Sequence, residues 1–507
     1  MIFSHSMVDL HAFSARTDTI RATIRQETRP NAWIRIHAEK DRIMLTRLEI
    51  DGFKSFENLA IDFLPFTVVL GSNAAGKSNL FDAIRLLSLL ATRDVAEAVK
   101  DMRGEPLELF RLTPSGRSTR IRMAAEVLVD PLARDPWGSE VKITHTRLRY
   151  EVTLERRQIK PGIERIQVAQ ECVTPIMRKD DRWAKAVNPT KDFRAAYLKY
   201  TRLKPWLTTD ETDEGLAFSI HQDGKQGRNR PASAAEATVL YSVTNAEFPH
   251  LFALREEMRH WRLLQLDPAL LRRPVPATAS DTLDADGSNL AAVLTQLKAE
   301  TASTEKPDGV LSDIAAELNH LIPGIAHLDA KLHEASREYR IELTMRDGLP
   351  FSSRVISDGT LRILALLTLL HDPRHRGLIC FEEPENGVHP GRIKQLVQQL
   401  KDIVTDPAQY DADEGAPPLS QLLLNSHSPV VLSALVDANL RPVDGAVLFA
   451  DTAIVTDPER KEQRRKTRLR PVHSKPQASL FGDDANPQGI VSDLEVRKVL
   501  DTVAAEG

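Results

Sequence analysis

The sequence is poor in the features that mark secreted, zinc-binding and membrane proteins. Its 507 residues include only two cysteines, Cys172 and Cys380, which lie far apart. A disulfide framework and a zinc site are therefore not expected, and the cysteine usage fits a reducing compartment. One of the longest apolar stretches, Ile363–Leu370, is interrupted by Thr368 and is well short of the roughly 20 residues that span a bilayer. We expect a cytoplasmic protein with no membrane segment.

An excess of charge of one sign is also missing. The net charge of −4 argues against tight non-specific DNA binding by the whole surface and leaves a local basic groove open. A hydrophobic content of 42% supports a substantial core and excludes a disordered or fibrous chain. At roughly 100–200 residues per domain, the length suggests two to four structural units.

The N-terminal segment Met1–Ile43 is weakly patterned. It mixes arginines with acids and lacks the apolar core of a secretory signal. Because a strong strand pattern follows from Met44, we expect either a loose extension or a start assigned upstream of the native one. Five acids count against a transit peptide: Asp9, Asp18, Glu27, Glu39 and Asp41.

A phosphate-binding motif follows a buried strand. The apolar run Phe66–Leu70 is typical of a strand covered on both faces, and it leads directly into the complete spacing G-x-x-x-x-G-K-S. In this motif the glycines let backbone N–H groups face phosphate oxygens, Lys77 reaches the β- and γ-phosphates, and the Ser78 hydroxyl can bind Mg²⁺. A chance glycine-rich turn is the alternative. The predicted nucleotide-binding residues here are Gly71, Ser72, Asn73, Ala74, Ala75, Gly76, Lys77, Ser78 and Asn79.

A second apolar run, Leu378–Phe381, ends in Glu382 and Glu383. Carboxylates at the end of a buried strand suit coordination of Mg²⁺ and activation of an attacking water when a phosphate cradle lies nearby. We predict that Glu382 binds on the Mg²⁺ side and that Glu383 is the general base. An exposed acidic strand end is the alternative. Cys380, inside the run, is expected to be a small core residue.

Two further segments have both a structural and a functional interpretation. The stretch Ile356–Thr360 opens a helix that Ser357 or Asp358 can simply cap. Ser357 also stands 26 residues before Glu383, where ATP-binding-cassette proteins have their signature loop. The strand Leu422–Leu424 leads to His427, which is either an ordinary polar residue or a sensor of the γ-phosphate.

These motifs, in this order, resemble the ABC-type ATPases of the SMC, RecF and OLD group. The matching stretches are LTRLEIDGFKSF, GSNAAGKSN, ISDGT, FEEPENGVHP and NSHSP. They are similar to AAA-type ATPases with an EEPENGxHP box, many of them from defence or repair loci. The likeness covers residues 44–175 and 240–450. It predicts an α/β fold: a P-loop ABC-type head with a mixed sheet, a flanking antiparallel sheet and a helical insertion.

The resemblance implies a head that closes as an ATP-sandwiched dimer with Mg²⁺. Ser357 and Gly359 of one copy would contact the γ-phosphate held by the other. Glu383 would orient the water, His427 would act as the switch, and Asn386–His389 would form the D-loop.

Two details of the family pattern do not transfer directly. Glu382 stands where the family usually has Asp, which leaves the metal geometry open. The glutamine of the Q-loop has only two candidates, Gln167 and Gln170. Either can equally be an ordinary strand residue.

A long insertion separates the two halves of the motif set, because Ser357 follows Lys77 by 280 positions. Antiparallel strands are predicted at Arg120–Val129, Thr146–Leu154 and Arg165–Cys172, and a long polar loop at Thr208–Glu236. Helices are predicted at Leu251–Leu264, Ser288–Ala299 and Gly309–Leu321, without the sustained heptads of an SMC rod. The insertion surface either contacts a partner or nucleic acid, or is purely structural. The predicted units are an extension 1–43, an ATPase lobe 44–175, the insertion 176–335, a second lobe 336–475 and a tail helix 476–507.

The end of the chain does not suggest a built-in nuclease. OLD-type nucleases carry a Toprim domain, but only 80 residues follow His427. The two D-x-D stretches, Asp284–Asp286 and Asp411–Asp413, are interpreted as loops. A basic run, 460–470, is either a nucleic-acid contact or the charged tip of a hairpin, which we favour. Ser492 and Glu495 predict a capping box for the tail helix.

Three functions fit the motifs. The first is an ATP-hydrolysing, dimerising switch or motor that acts with a separately encoded effector or on DNA, with antiphage defence as the suggested context. The second is a RecF-like repair or recombination ATPase. The third is a scaffold that binds ATP without useful turnover.

Overall fold

The structure is a computed structural model. It describes residues 44–213, 215–222, 225–372, 377–402, 404–412, 421–437, 440, 442, 446–456, 463–472 and 491–506. The predicted extension Met1–Ile43 lies outside the described residues. Within them, no helix is both long enough and apolar enough to cross a membrane.

The described strands, in chain order, are β1 Met44–Asp51, β2 Leu59–Asp62, β3 Phe66–Gly71, β4 Leu112–Thr113, β5 Gly116–Arg117, β6 Arg120–Leu128, β7 Leu132–Arg134, β8 Glu140–Lys142, β9 Arg147–Lys160, β10 Ile163–Pro175, β11 Leu207–Thr212, β12 Gly215–Gln222, β13 Lys225–Pro231, β14 Arg262–Leu264, β15 Val275–Pro276, β16 Ile325–His333, β17 Glu338–Met345, β18 Pro350–Ser352, β19 Leu378–Glu382, β20 Gln421–Ser426, β21 Ala446–Thr456 and β22 Gln463–Pro471.

The described α-helices are α1 Lys77–Leu90, α2 Val95–Lys100, α3 Arg182–Val187, α4 Lys191–Tyr197, α5 Val239–Ser242, α6 Pro249–Arg259, α7 Pro268–Leu271, α8 Leu290–Thr301, α9 Leu311–Leu321, α10 Asp358–Leu370, α11 Pro390–Asp402, α12 Pro429–Leu435 and α13 Asp493–Glu506. Two short 3₁₀ turns cover Pro106–Leu109 and Ser353–Val355.

The predicted motifs lie on a six-stranded sheet with the order β14-β19-β20-β3-β21-β22. Its strands run parallel except for the antiparallel hairpin β21–β22. Leu378 and Cys380 of β19 pack into one hydrophobic core, and Ile379 and Phe381 pack into the other. The strand is therefore buried on both faces, as its continuous apolar run predicts. Burial raises the pKa of the Cys380 thiol well above its usual value, which confirms this cysteine as a core residue.

A second, eight-stranded sheet has the order β13-β12-β11-β10-β9-β6-β1-β2 and is antiparallel throughout. The predicted strands at 120–129, 146–154 and 165–172 are confirmed as β6, β9 and β10. The predicted loop Thr208–Glu236 is wrong, because β11, β12 and β13 extend the sheet there. Their exposed faces are polar, and β11 is held mainly by pairing with its neighbours, so the local sequence gives little strand signal.

The insertion is less helical than predicted. The helices at 288–299 and 309–321 are confirmed as α8 and α9, but the helix predicted at Leu251–Leu264 ends at Arg259. Residues Arg262–Leu264 instead form β14, which pairs in parallel with β19. Strands β15–β18 form a further small antiparallel sheet. Tertiary pairing has overridden local helix propensity at β14, and part of the insertion belongs to the central sheet. The predicted domain boundaries stay a prediction.

The C-terminal elements pack on the same chain. The Ser492 and Glu495 side chains bond reciprocally to each other's backbone N–H at 3.4 and 3.0 Å, which confirms the capping box. Val496 is buried in the hydrophobic core that also contains Ile379 and Phe381. Arg468 and Arg470, in β22, bind Asp451 at 2.8 and 2.6 Å. The basic run is thus a hairpin strand where it is described; its first three residues, 460–462, lie outside the described residues.

Candidate functional site

The phosphate loop connects β3 to α1 with the backbone shape that its glycines permit. Gly76 has a φ of +94°, in the left-handed region that favours glycine. The Lys77 ammonium donates to the carbonyl oxygens of Gly71 and Ser72 at 2.6 and 2.9 Å. The lysine is therefore folded across the mouth of its own loop, where an anion would compete for its hydrogen bonds.

The loop is fixed from behind by a small polar network. Ser55 accepts hydrogen bonds from Asn79 of α1 at 2.9 Å and from Thr467 of β22 at 2.8 Å. A Cβ at Gly76 would lie 2.4 Å from the Thr467 hydroxyl oxygen, so only glycine fits there. Predicted ligand Asn79 thus also ties the loop to two neighbouring elements.

The acidic end of β19 carries a strained backbone. Glu383 has a φ of +50°, which is uncommon for a residue with a side chain. Its N–H donates to the backbone oxygen and the side-chain oxygen of Asn425 at 3.0 and 3.2 Å. The Asn425 amide also donates to Glu382 at 3.1 Å. Asn425, near the end of β20, therefore holds the carboxylate of Glu382 and the backbone of Glu383.

The Glu383 carboxylate is held on both sides. One oxygen accepts a hydrogen bond from Asn386 at 2.6 Å, and the other lies 3.2 Å from Nδ1 of His427. His427 follows β20, the strand next to β19. Because parallel strands end at the same edge of a sheet, the predicted base and the predicted switch residue are brought into contact.

A third carboxylate lies beside these two. Glu385 is only 7% exposed. One of its oxygens accepts a hydrogen bond from the Ser426 hydroxyl at 2.5 Å and lies 3.9 Å from His427 Nδ1. Its other oxygen is buried and has no hydrogen-bond partner among the described residues, which is costly unless something else satisfies it. The sequence prediction omitted Glu385; its place in the EEPE stretch was the only available signal.

The charged groups of the site interact with one another. Burial lowers the pKa of the Lys77 ammonium, and the charges of Glu383, Glu385 and Glu382 oppose that effect. The phosphate loop and the three carboxylates therefore share one electrostatic environment. A strongly anionic ligand in the loop would need Lys77 and a cation to offset these carboxylates.

The predicted signature residues lie at the start of α10. The Ser357 hydroxyl accepts from the Thr360 N–H at 3.2 Å, so the residue caps the helix. Ser357 is nevertheless exposed, and a cap does not exclude a second role. A Cβ at Gly359 would lie 2.2 Å from the carbonyl oxygen of Gly387. The signature segment and the predicted D-loop are therefore in direct backbone contact within one chain.

The donor chemistry fits Mg²⁺. The predicted ligands are the half-buried Ser78 hydroxyl and the Glu382 carboxylate, and Mg²⁺ prefers oxygen ligands. No cluster of three or more His, Cys, Asp or Glu among the described residues forms a ready metal cage. In nucleotide sites Mg²⁺ is usually held by one or two side chains together with phosphate oxygens and water.

The remaining candidates do not join the site. Gln167 and Gln170 lie within β10 of the antiparallel sheet, and the side chain of Gln170 accepts from Thr153 on β9 at 3.5 Å. Asp284 to Asp286 form a turn, as predicted. Asp413 lies outside the described residues.

The sequence family described as "AAA domain, putative AbiEii toxin, Type IV TA system" matches residues 66–433. A shorter match joins the chain to the DNA replication and repair protein RecF of Limosilactobacillus fermentum, with 29% identity over 104 residues. It covers 20% of this chain and 26% of that protein, so the chain matches about a quarter of its curated relative.

Solved structures with a similar fold include SMC heads. One is the Pyrococcus furiosus head with an extended coiled coil bound to the C-terminal domain of ScpA: TM-score 0.42, 12% identity, covering 91% of this chain and 100% of that one. The Thermotoga maritima SMC head has a TM-score of 0.35 and 10% identity, covering 85% and 99%. These likenesses are distant. The family match spans most of the chain, and the chain therefore belongs to this AAA-domain family.

Proposed function

We propose that the chain hydrolyses ATP at the edge where β19, β20 and β3 end. The observation that carries this proposal is the contact between Glu383 and His427 at 3.2 Å, in the electrostatic neighbourhood of Lys77. A phosphate-binding lysine and a residue that orients or deprotonates the attacking water are recurring parts of phosphoryl-transfer sites, and here the imidazole contacts the carboxylate that would do so. They come from three adjacent parallel strands, which form a rigid scaffold.

Each residue has a distinct role in this proposal. Lys77 exchanges the carbonyl oxygens of Gly71 and Ser72 for β- and γ-phosphate oxygens. Ser78 and Glu382 hold Mg²⁺, which offsets the charge of the phosphates when bound. Glu383 accepts a proton from the attacking water.

His427 controls access to the base. Both oxygens of Glu383 are engaged, one by Asn386 and one by His427. Each contact takes one lone-pair position of the carboxylate, and release of His427 would leave its position to the attacking water. We infer that His427 turns to the γ-phosphate, which frees the carboxylate oxygen only when ATP is present.

The second copy completes the site. Ser357 is exposed and opens a 13-residue helix, whose N-terminus favours anions. In an ATP-sandwiched dimer it would face the nucleotide of the partner copy. The backbone contact between Gly359 and Gly387 would then couple each D-loop to the signature segment that its own chain offers.

ATP turnover and molecular mass test the proposal together. We expect Lys77→Ala to lose nucleotide binding, and Glu383→Gln to bind ATP, lose turnover by about 10²–10⁴-fold and accumulate as a dimer. Glu305→Gln, at an exposed position, is the matched control and should behave as wild type. If Glu383→Gln hydrolyses ATP at the wild-type rate, the assignment of the base is wrong. If wild type binds ATP with no turnover, the scaffold interpretation replaces it.

The cellular role is proposed in more general terms than the reaction. We propose a cytoplasmic switch whose ATP state is transmitted to a separately encoded effector, because the matching family is described by a toxin of a toxin–antitoxin system. The match to a protein named for DNA replication and repair favours a repair ATPase as the second candidate. Stimulation of turnover by duplex DNA would favour the second. Copurification of a stoichiometric protein partner, with no effect of DNA, would favour the first.

A further inference from the structure

An acidic side chain stands directly beside the signature segment. Asp358 follows Ser357, is the first residue of α10, and its side chain is 61% exposed. In the proposed dimer Ser357 faces the γ-phosphate of the partner copy, so a free carboxylate at the next position would face the same anion. Like charges that face each other across an interface oppose association. A signature segment with this sequence therefore binds phosphate better if the carboxylate has a counter-charge.

Arg272 provides that counter-charge from the same chain. Its guanidinium lies 2.6 Å from the carboxylate of Asp358 and donates to the carbonyl oxygen of Ile356, also at 2.6 Å. The arginine thus holds the residue before Ser357 and the residue after it. Both of the groups that it binds carry negative charge, one full and one partial, and both lie where the N-terminus of α10 would otherwise attract an anion.

The backbone that carries Arg272 is fixed to both sides of the signature segment. Arg272 follows α7 directly, and Leu271, the last residue of that helix, is 2% exposed. The Ser353 hydroxyl donates to the carbonyl oxygen of Arg272 at 2.9 Å, and Arg362 of α10 donates to the carbonyl oxygen of Leu266 at 3.1 Å. A side chain on a backbone that is already held binds its partner with a smaller loss of conformational entropy.

Fold stability does not require this ion pair. Asp358 alone interacts favourably with the N-terminus of its helix, and an ion pair with a carboxylate as exposed as this one stabilises a fold only weakly. The charge of the carboxylate has a larger effect where a nucleotide is enclosed between two copies. Water is scarce there, and the interactions between charges are stronger than at a free surface.

We propose that Arg272 is a positioning residue of the ATP-dependent dimer, which neutralises Asp358 so that the signature segment accepts the γ-phosphate of the partner copy. This inference rests on the proposed ATP-sandwiched dimer. Arg272 acts on the nucleotide of the partner and not on the nucleotide that its own chain binds. Its loss therefore weakens dimerisation and leaves ATP binding by a single chain unchanged.

The test is sedimentation with ATP over a range of protein concentrations, in the Glu383→Gln background in which dimers should accumulate. We expect Arg272→Gln to weaken dimerisation by about 10–100-fold, and by less at high salt, because salt screens the repulsion. Arg273→Gln removes the same charge from the adjacent, exposed position, is the matched control, and should dimerise as its parent does. ATP affinity, measured at concentrations too low for dimerisation, should be equal in all three proteins.

A second substitution separates charge from structure. Asp358→Asn removes the carboxylate, so Arg272→Gln/Asp358→Asn should dimerise as the parent protein does. If this double variant is as weak as Arg272→Gln, the arginine acts only by holding Ile356, and the proposal is wrong. Equal dimerisation of Arg272→Gln and Arg273→Gln would also overturn it, with the proposed dimer intact. A Glu383→Gln protein that stays monomeric with ATP would instead overturn the proposed dimer, and this inference with it.

Discussion

The two large sheets of the molecule differ in how their faces are buried. In the six-stranded parallel sheet, β19 and its neighbours are covered on both faces, and their polar residues appear only where the strands end. In the eight-stranded antiparallel sheet, one face packs in the core and the other carries ion pairs. Arg149, for example, binds Glu49 and Glu151 at 2.7 and 2.6 Å.

This difference separates the proposed catalytic site from the elements that support it. The strand ends of the parallel sheet bring Lys77, Glu383 and His427 together. The ion pairs of the antiparallel sheet hold its own strands in register. Burial alone would raise the pKa of Glu49, but hydrogen bonds from Arg149 and Arg47 lower it to about 2. We therefore expect variants in the antiparallel region to change stability and variants at the parallel edge to change turnover.

The largest expected effect on stability comes from the buried pair beside the antiparallel sheet. Both Arg147 and Asp181 side chains are fully buried. Asp181→Ala should lower the free energy of unfolding by about 3–5 kcal/mol, because it leaves the guanidinium charge unpaired. Denaturant unfolding measures the loss, and turnover per folded molecule should not change.

A double variant sharpens this prediction. Arg147→Met/Asp181→Leu removes both charges and should recover most of the lost stability. If the double variant is no more stable than Asp181→Ala, lost packing around Trp183 and Tyr200, and not the unpaired charge, is responsible.

The next effect is a pH dependence in the same region. Burial, with smaller contributions from His145 and Arg202, lowers the pKa of His250 to about 4. The unfolded chain binds this proton below a pH of about 6.5 and the folded chain does not. The contribution of His250 to the free energy of unfolding is therefore fully present above a pH of about 6.5. It is lost as the pH falls toward 4, by up to about 3 kcal/mol.

The control for the pH prediction removes the titration and keeps an acceptor. Nε2 of His250 accepts the N–H of His145 at 3.3 Å, and the amide oxygen of His250→Gln can take that role. Relative to His250→Gln, wild type should lose unfolding free energy as the pH falls from about 6.5 toward 4. A pH-independent difference would contradict the assignment of the protonation to His250.

The accuracy of the strand prediction from sequence also differs between the two sheets. The strands β3, β19 and β20 are evident from their apolar runs, and their order along the chain suggested the site. Strands β11–β13 were missed because the local sequence is polar and their pairing is non-local. Strand β14 was missed because three residues following a helix have no signal of their own.

The sequence named residues for the candidate site but did not indicate the contacts between them. Asn425 and Asn386, which hold Glu383, are amides in loops or at a strand end, where polar residues are common. Glu385 was visible in the sequence only as one more acid. One of its oxygens is buried without a partner among the described residues, which only the three-dimensional structure reveals.

Glu385 provides the prediction that most directly tests the parallel edge. Glu385→Gln keeps the size of the side chain and changes its interaction with Ser426 and His427. We expect kcat to fall by about 10–100-fold, in the range seen for residues that orient a reacting group, with little change in KM or in unfolding free energy. Steady-state kinetics at several ATP concentrations separates kcat from KM.

Comparison with Ser426→Ala locates the cause. If Glu385 acts by orienting the segment that carries His427, Ser426→Ala should lower kcat in the same way, and the two substitutions together should cost no more than the larger one. Additive effects would mean that Glu385 acts independently of Ser426.

The smallest predicted effect lies at the end of the chain. Ser492→Ala removes the hydroxyl that accepts the Glu495 N–H and should cost about 1 kcal/mol. Glu495 also binds Arg470 at 2.6 Å, which holds α13 against β22, the strand whose Thr467 lies behind the phosphate loop. Hydrogen exchange of α13 should accelerate while turnover stays at the wild-type level. A fall in turnover would instead show that support from the C-terminal helix reaches the phosphate loop through Thr467, and the division between chemistry and support would not hold at this edge.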